Sequence, residues 1–143
     1  MYVKITAGGL KKYPYSLNEF RASKRNVSFP KDIPTEILEA NNIFVVKEIA
    51  PPNIDTKTHK YTCDVELIEG EWTQVWTTSE LPQEVAERNV RTYRDRLLVK
   101  SDWTQVPDSP VSSETWATYR QALRDVTEQE GFPYNVTWPT EPT

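Results

Sequence analysis

At 143 residues and 16.6 kDa the chain is long enough for one compact domain, or for a small domain with a helical appendage. Its 37% hydrophobic and 27% charged residues describe a globular protein, and no apolar run approaches the ~20 residues that a membrane span needs. A net charge of −4 and a pI of about 5.1 argue against non-specific nucleic-acid binding, while a single cysteine, Cys63, excludes an internal disulfide and fits a reducing compartment.

Met1-Tyr2-Val3-Lys4-Ile5 alternates like a short strand and lacks the layout of a secretory signal, so the chain is expected to stay where it is made unless it leaves within a larger particle. The strand, about Tyr2–Ala7, ends at Gly8-Gly9. Tyr13-Pro14-Tyr15 reads as an extended turn, because the residue before proline is driven away from helix. Ser16 with Glu19 has capping-box spacing and opens a short helix to about Lys24, with Leu17 and Phe20 on one side. Val27-Ser28-Phe29-Pro30 breaks it. A second short helix follows Pro34, capped by Thr35 or Asp32, with Ile37 and Leu38 inward; Asn41-Asn42 suits its end, since asparagine tolerates the left-handed conformation.

Ile43–Ile49 is a β-branched strand that Pro51-Pro52 ends. Residues 59–78 read as a hairpin: Tyr61, Cys63, Val65 and Leu67 alternate with polar residues, Glu69-Gly70 turns, and Glu71–Thr78 returns. Ser79 is the expected cap of a long helix from about Glu80 to Ser101, with Pro82 in its first turn. Ala86, Val90, Tyr93 and Leu97 form its apolar stripe, and Glu84–Arg88 and Glu87–Arg91 can pair on the other side. A helix of that length and narrow stripe could protrude or serve as a linker. Trp103–Pro110 is a proline-bounded loop, after which Ser112 or Ser113 caps a last helix buried through Trp116, Tyr119, Leu123 and Val126. Gly131 stops it, and Phe132–Pro139 is an extended aromatic tail expected to lie on the helical pair.

The block Arg96-Leu97-Leu98, Ser101-Asp102-Trp103-Thr104-Gln105, Asp108-Ser109-Pro110, Trp116 to Asp125, Gly131-Phe132-Pro133 and Trp138-Pro139 resembles the C-terminal module of phage tail assembly chaperone proteins over about the last third of the chain. Tyr13-Pro14-Tyr15-Ser16, Ser28-Phe29-Pro30 and Trp72-Thr73-Gln74-Val75-Trp76 are similar to a domain that often precedes this module in tail proteins. The resemblance implies a protein encoded beside a tail fibre and needed to fold or trimerise it, in some cases retained on the particle. The expected partner is therefore a tail fibre or another tail or baseplate protein, in symmetric copies, in the host cytoplasm during assembly and then in the virion tail.

Little in the chain suggests chemistry. His59 and Cys63 lie four apart, but they lack an orienting acid and a glycine-rich oxyanion loop, and His59 reads as a solvated loop residue. Two ligands fall short of a zinc site. The many carboxylates read as solvated strand faces and helix ends, so neither a catalytic residue, a metal, a cofactor nor a small-molecule substrate is expected. Five tryptophans carry the remaining interest. Trp72, Trp76, Trp103 and Trp138 are the candidate partner-binding residues. Trp72 and Trp76, same-face neighbours in a strand, are either core or an outward ledge for a protein edge or a sugar ring. Residues 1–60 carry 10 basic and 6 acidic side chains (+4) and residues 61–143 carry 7 and 15 (−8), which reads either as differently solvated faces or as a matched docking surface.

The expected fold is α+β: a small, mainly antiparallel sheet with short helices over 1–78, then a helical hairpin module with an aromatic tail over 79–143. The expected function is protein–protein binding in tail or fibre assembly, with no enzymatic activity; the alternative is a receptor module that stacks host glycan on Trp72 and Trp76.

Overall fold

In the computed structural model, which describes residues 1–24 and 26–143, the N-terminal alternation forms β1 (Tyr2–Ile5), and the chain turns at Gly9, φ +76°, into β2 (Lys11–Tyr15). The Tyr-Pro-Tyr segment read as a turn is thus a strand. The reason lies in the register, where Tyr2 faces Tyr15 but Lys4 faces Lys12, so β2 carries an extra residue between them. That bulge accommodates Pro14, which has no N–H to give to a ladder.

Ser16 caps α1 (Leu17–Ser23) with the full reciprocal capping box, which buries Phe20. Helix α2 (Thr35–Ala40) begins differently from expectation: Pro34 is its N-cap, without a side-chain bond, and its carbonyl accepts from Ile37 and Leu38. Leu38 is buried while Ile37 is exposed, because neighbours about 100° apart on a six-residue helix cannot share one narrow contact. Asn42 takes φ +55° and delivers the chain to β3 (Ile43–Lys47).

The hairpin forms as read, from β4 (His59–Ile68) and β5 (Glu71–Glu80), with Glu69 and Gly70 both at positive φ as a type I′ turn requires. The strands form a five-stranded sheet in the order β2-β1-β3-β5-β4, mostly antiparallel, with β3 and β5 parallel where Val46 meets Trp72. One face, with Tyr15 and Ile43, packs on Phe20, Ile33 and Leu38 from the helical segment. The other curls on itself around Val3, Val46 and Val65. The curl brings the two edge strands within reach: Lys11 Nζ of β2 bonds Asp64 Oδ2 and the Val65 carbonyl of β4, each at 2.7 Å. That ammonium holds the Asp64 carboxyl below the ordinary carboxylate range. In β4, Val65 is buried and Cys63 half-buried. Tyr61 and Leu67, expected inward, are exposed because the strand outruns the interior that it lines.

The long helix α3 spans Gln83–Lys100, and Pro82 is its N-cap. Ser79 is not the cap, since the β-branched run keeps the chain in β5 through Glu80. Of the two ion pairs anticipated on α3, Glu87–Arg91 closes at 2.8 Å and Glu84–Arg88 does not close among the described residues. A 3-10 turn (Asp102–Gln105) occupies part of the expected loop, and Ser112 caps α4 (Ser113–Asp125). A second 3-10 turn follows over Val126–Glu128. No described helix is long and apolar enough to cross a membrane.

The chain divides into two compact units, Met1–Pro52 with Tyr61–Thr77, and Asn53–Lys60 with Thr78–Thr143. Asn53–Lys60 belongs with the second for clear reasons. Buried Thr58 accepts from Leu81 N–H at 2.8 Å, Asn89 donates to the Lys57 carbonyl at 3.0 Å, and Lys57 Nζ lies 4.6 Å from the centre of the Tyr93 ring. His59 is accordingly half-buried, not a solvated loop residue: its Nδ1 is 2.8 Å from the Thr58 hydroxyl and its ring meets Tyr134 edge-on. Counted by unit, the charges are 8 basic against 9 acidic and 9 against 12, net −1 and −3, so the steep contrast along the sequence is diluted. The hairpin acids Asp64, Glu66, Glu69 and Glu71 sit in the first unit and cancel its lysines.

Candidate functional site

The C-terminal unit is organised around the corner between α3 and α4. At the end of α3 the last carbonyls lack helical partners, and Ser101 supplies one: its hydroxyl is 2.9 Å from the Leu97 carbonyl and 3.0 Å from that of Leu98. Arg120, one turn past Trp116 on α4, reaches the same corner. Its guanidinium donates to the Leu98 carbonyl at 2.6 Å, to Ser101 Oγ at 2.7 Å and to Asp102 Oδ1 at 2.7 Å. A cation at a helix C-terminus also opposes the helix dipole. Buried Thr104 donates to the Ser101 carbonyl at 2.6 Å, and Gln105 bridges Thr104 Oγ1 to the Ser113 carbonyl. Four of the five residues in Ser101-Asp102-Trp103-Thr104-Gln105 are therefore spent on holding this corner.

Trp103 is the exception. Its side chain is 48% exposed, and its ring centre lies 5.9 Å from that of buried Trp116. Val99, 70% exposed near the end of α3, and Val106, 46% exposed just after the 3-10 turn, are its exposed apolar neighbours along the sequence. Trp116, Tyr119 and Leu123 form the buried stripe beneath, joined by Leu97, Leu98, Val111 and Trp138. Burial pushes the Tyr119 phenol above its usual value, and the Glu141 carboxylate pushes the same way.

The tail lies on the helices. Trp138 meets Tyr93 edge-to-face at 4.8 Å, Lys100 pairs with Glu141 at 2.8 Å, and the Gln129 side chain bonds both the N–H and the C=O of Thr137. The turn before it requires Gly131 for close approach and not for a positive φ: a Cβ there would strike the Asn135 carbonyl and lie 2.9 Å from the Asn135 Cβ. Gly131→Ala should therefore lower stability by about 1–3 kcal/mol, read as a shifted urea midpoint at constant m-value.

The four candidate tryptophans thus occupy different settings. Trp103 and Trp138 both border the Trp116 cluster, the first half-exposed and the second packed. Trp72, in the first unit, packs beside the Val3–Val46–Val65 core and lies 6.1 Å from Phe44. Trp76 donates its indole N–H to the Ile49 carbonyl at 2.8 Å and meets Tyr61 edge-on at 5.0 Å. Sequence reasoning missed Arg120 as the organising residue. Its signal was a cation bordering an apolar stripe, a placement that Arg124, one turn further along the same helix, shares. Among the described residues no three His, Cys, Asp or Glu side chains gather as metal ligands.

Residues 87–143, which include most of α3, the Arg120 corner, α4 and the tail, match the model of a family described as phage tail assembly chaperone protein. No curated protein and no solved structure matches the chain. The match is confined to that segment, and over that segment it supports a role in phage tail assembly.

Proposed function

We propose that this chain, whose C-terminal segment is that of a phage tail assembly chaperone, works by binding a tail fibre or another tail or baseplate protein through the side that carries Trp103. The observation that supports this reading is the contrast within one motif: Ser101, Asp102, Thr104 and Gln105 are consumed internally while Trp103 stays half-exposed. A large aromatic ring left half in water loses free energy that a partner recovers by covering it. The action is binding without turnover, and the chain remains on the particle in symmetric copies.

Co-expression with the neighbouring fibre protein tests the reading. Soluble, trimeric fibre should form only in the presence of this chain. Trp103→Ala should abolish that yield while changing stability by less than about 1 kcal/mol, as for a surface side chain; equal fibre yield from the variant would overturn the assignment. Stoichiometric presence of the chain in purified particles tests retention. The receptor alternative, stacking of host glycan on Trp72 and Trp76, has less support, since both rings are engaged within the first unit; glycan-array binding by the whole chain would revive it.

A further inference from the structure

Two depressions meet on one side of α3. Their lining residues on the helix, from Asn89 through Thr92, Tyr93, Arg96 and Val99 to Lys100, recur every three or four positions and so share that side, over roughly 16 Å at 1.5 Å per residue. The first depression, about 480 Å³, surrounds Val99 and is bounded by Asp95, Arg96 and Lys100. Val99 is 70% exposed, the most open large apolar side chain of its unit. The second, about 210 Å³, lies between α3 and Thr56-Lys57 of the same unit. Thr92 and Arg96 line both. Most of the charges here are already matched. Lys57 pairs with Asp55 at 2.9 Å, Lys100 pairs with Glu141 at 2.8 Å, and Arg94 donates twice to Asp95 Oδ1, at 2.9 and 2.7 Å. Arg96 is the charged lining residue that makes no ion pair and no side-chain hydrogen bond among the described residues, and it is exposed where the two depressions join.

We propose that this side of α3 is a docking site for a short segment of a partner tail protein that carries an acidic residue next to an apolar one. The unmatched charge on the helix side is positive, so the segment that complements it is acidic. The Arg96 guanidinium is a planar fork that suits a carboxylate, with both oxygens bound at once. An aliphatic or aromatic side chain of the same segment covers Val99, about one helical turn away, where Arg96 and Lys100 can lay their apolar stems alongside it. The inference rests on the reading that the chain acts by binding tail proteins. It adds a second contact, on a stretch of helix that lies within the segment the family model matches.

The test uses the full chain, immobilised and panned against a displayed library of random dodecapeptides, with selected peptides then measured in solution. Enriched peptides should carry an aspartate or glutamate within four positions of a large apolar residue. Arg96→Glu and Val99→Ser alter exposed positions with little risk to folding. Each should weaken peptide binding by about tenfold or more, on the order of 1.4 kcal/mol. Replacing the peptide's acidic residue by lysine should abolish binding to the natural chain and restore it to the Arg96→Glu variant, a recovery that mere loss of structure could not produce. Failure to select any peptide, equal binding by the natural chain and both variants, or absence of that recovery would overturn the proposal. Trp103→Ala should leave peptide affinity unchanged, so loss of fibre assembly and loss of peptide binding report separately on the two contacts.

Discussion

Trp116→Ala should destabilise the C-terminal unit by about 3–5 kcal/mol. The side chain is 7% exposed and sits between Trp103, 5.9 Å away, and Tyr119, which it meets edge-to-face at 5.7 Å. Truncation removes a large apolar surface and also the wall on which Leu97, Leu98 and the tail residue Trp138 converge. Whole small domains are stable by only about 5–15 kcal/mol, so this one change would consume much of the margin. Urea unfolding followed at 222 nm checks it. Trp116→Phe should lose less than half as much, because it keeps an edge-to-face partner for Tyr119. A loss below about 1 kcal/mol for the alanine variant would show that the stripe is not core and that its rings serve a partner.

Much of that stripe was legible in advance. Trp116, Tyr119, Leu123 and Val126 recur at helical spacing, and all four are buried: the 13-residue helix hides its one apolar side through the first three, and the 3-10 turn that follows carries Val126 inward as well. The Ser16–Glu19 capping box and the Glu69-Gly70 turn were equally legible, since both are local chemistry that no distant contact needs to complete. What could not be read depended on partners far along the chain. Tyr13 looks like part of a turn until the bulge on β2 lets it face inward, where its hydroxyl receives a bond from Gln74, 61 residues away, at 2.6 Å. Burial then raises the Tyr13 phenol, and the Gln74 bond partly opposes that shift. Ser79 carries the right side chain for a cap but lies in a strand, because pairing in β5 prevails over local preference. For the candidate site, composition marked the tryptophans and spacing could not rank them. Exposure ranks them: Trp103 stands out because it is the most open of the four, while its neighbours in the motif are tied by hydrogen bonds to Arg120, to one another and to the Ser113 carbonyl.

Arg120→Met should cost about 2–4 kcal/mol, nearly all of it through the backbone and hydroxyl bonds at the end of α3 and little through the ion pair. The guanidinium is 11% exposed, whereas its carboxylate partner Asp102 is 62% exposed, so water already screens that charge. What methionine cannot replace are the donors to the Leu98 carbonyl and to Ser101 Oγ, which sit at a helix terminus where carbonyls lack internal partners. Asp102→Asn should therefore lose less than about 1 kcal/mol, and raising salt should change the natural chain's stability little. Arg120→Lys should recover less than half of the loss, because a single ammonium on a flexible stem cannot reproduce a planar fork that spans three acceptors. The double variant Arg120→Met/Asp102→Asn completes the cycle: a coupling energy under about 0.5 kcal/mol would leave the corner held by neutral acceptors. If Asp102→Asn instead costs as much as Arg120→Met, the charge pair fixes the corner, and the position of Trp103 should then shift with ionic strength.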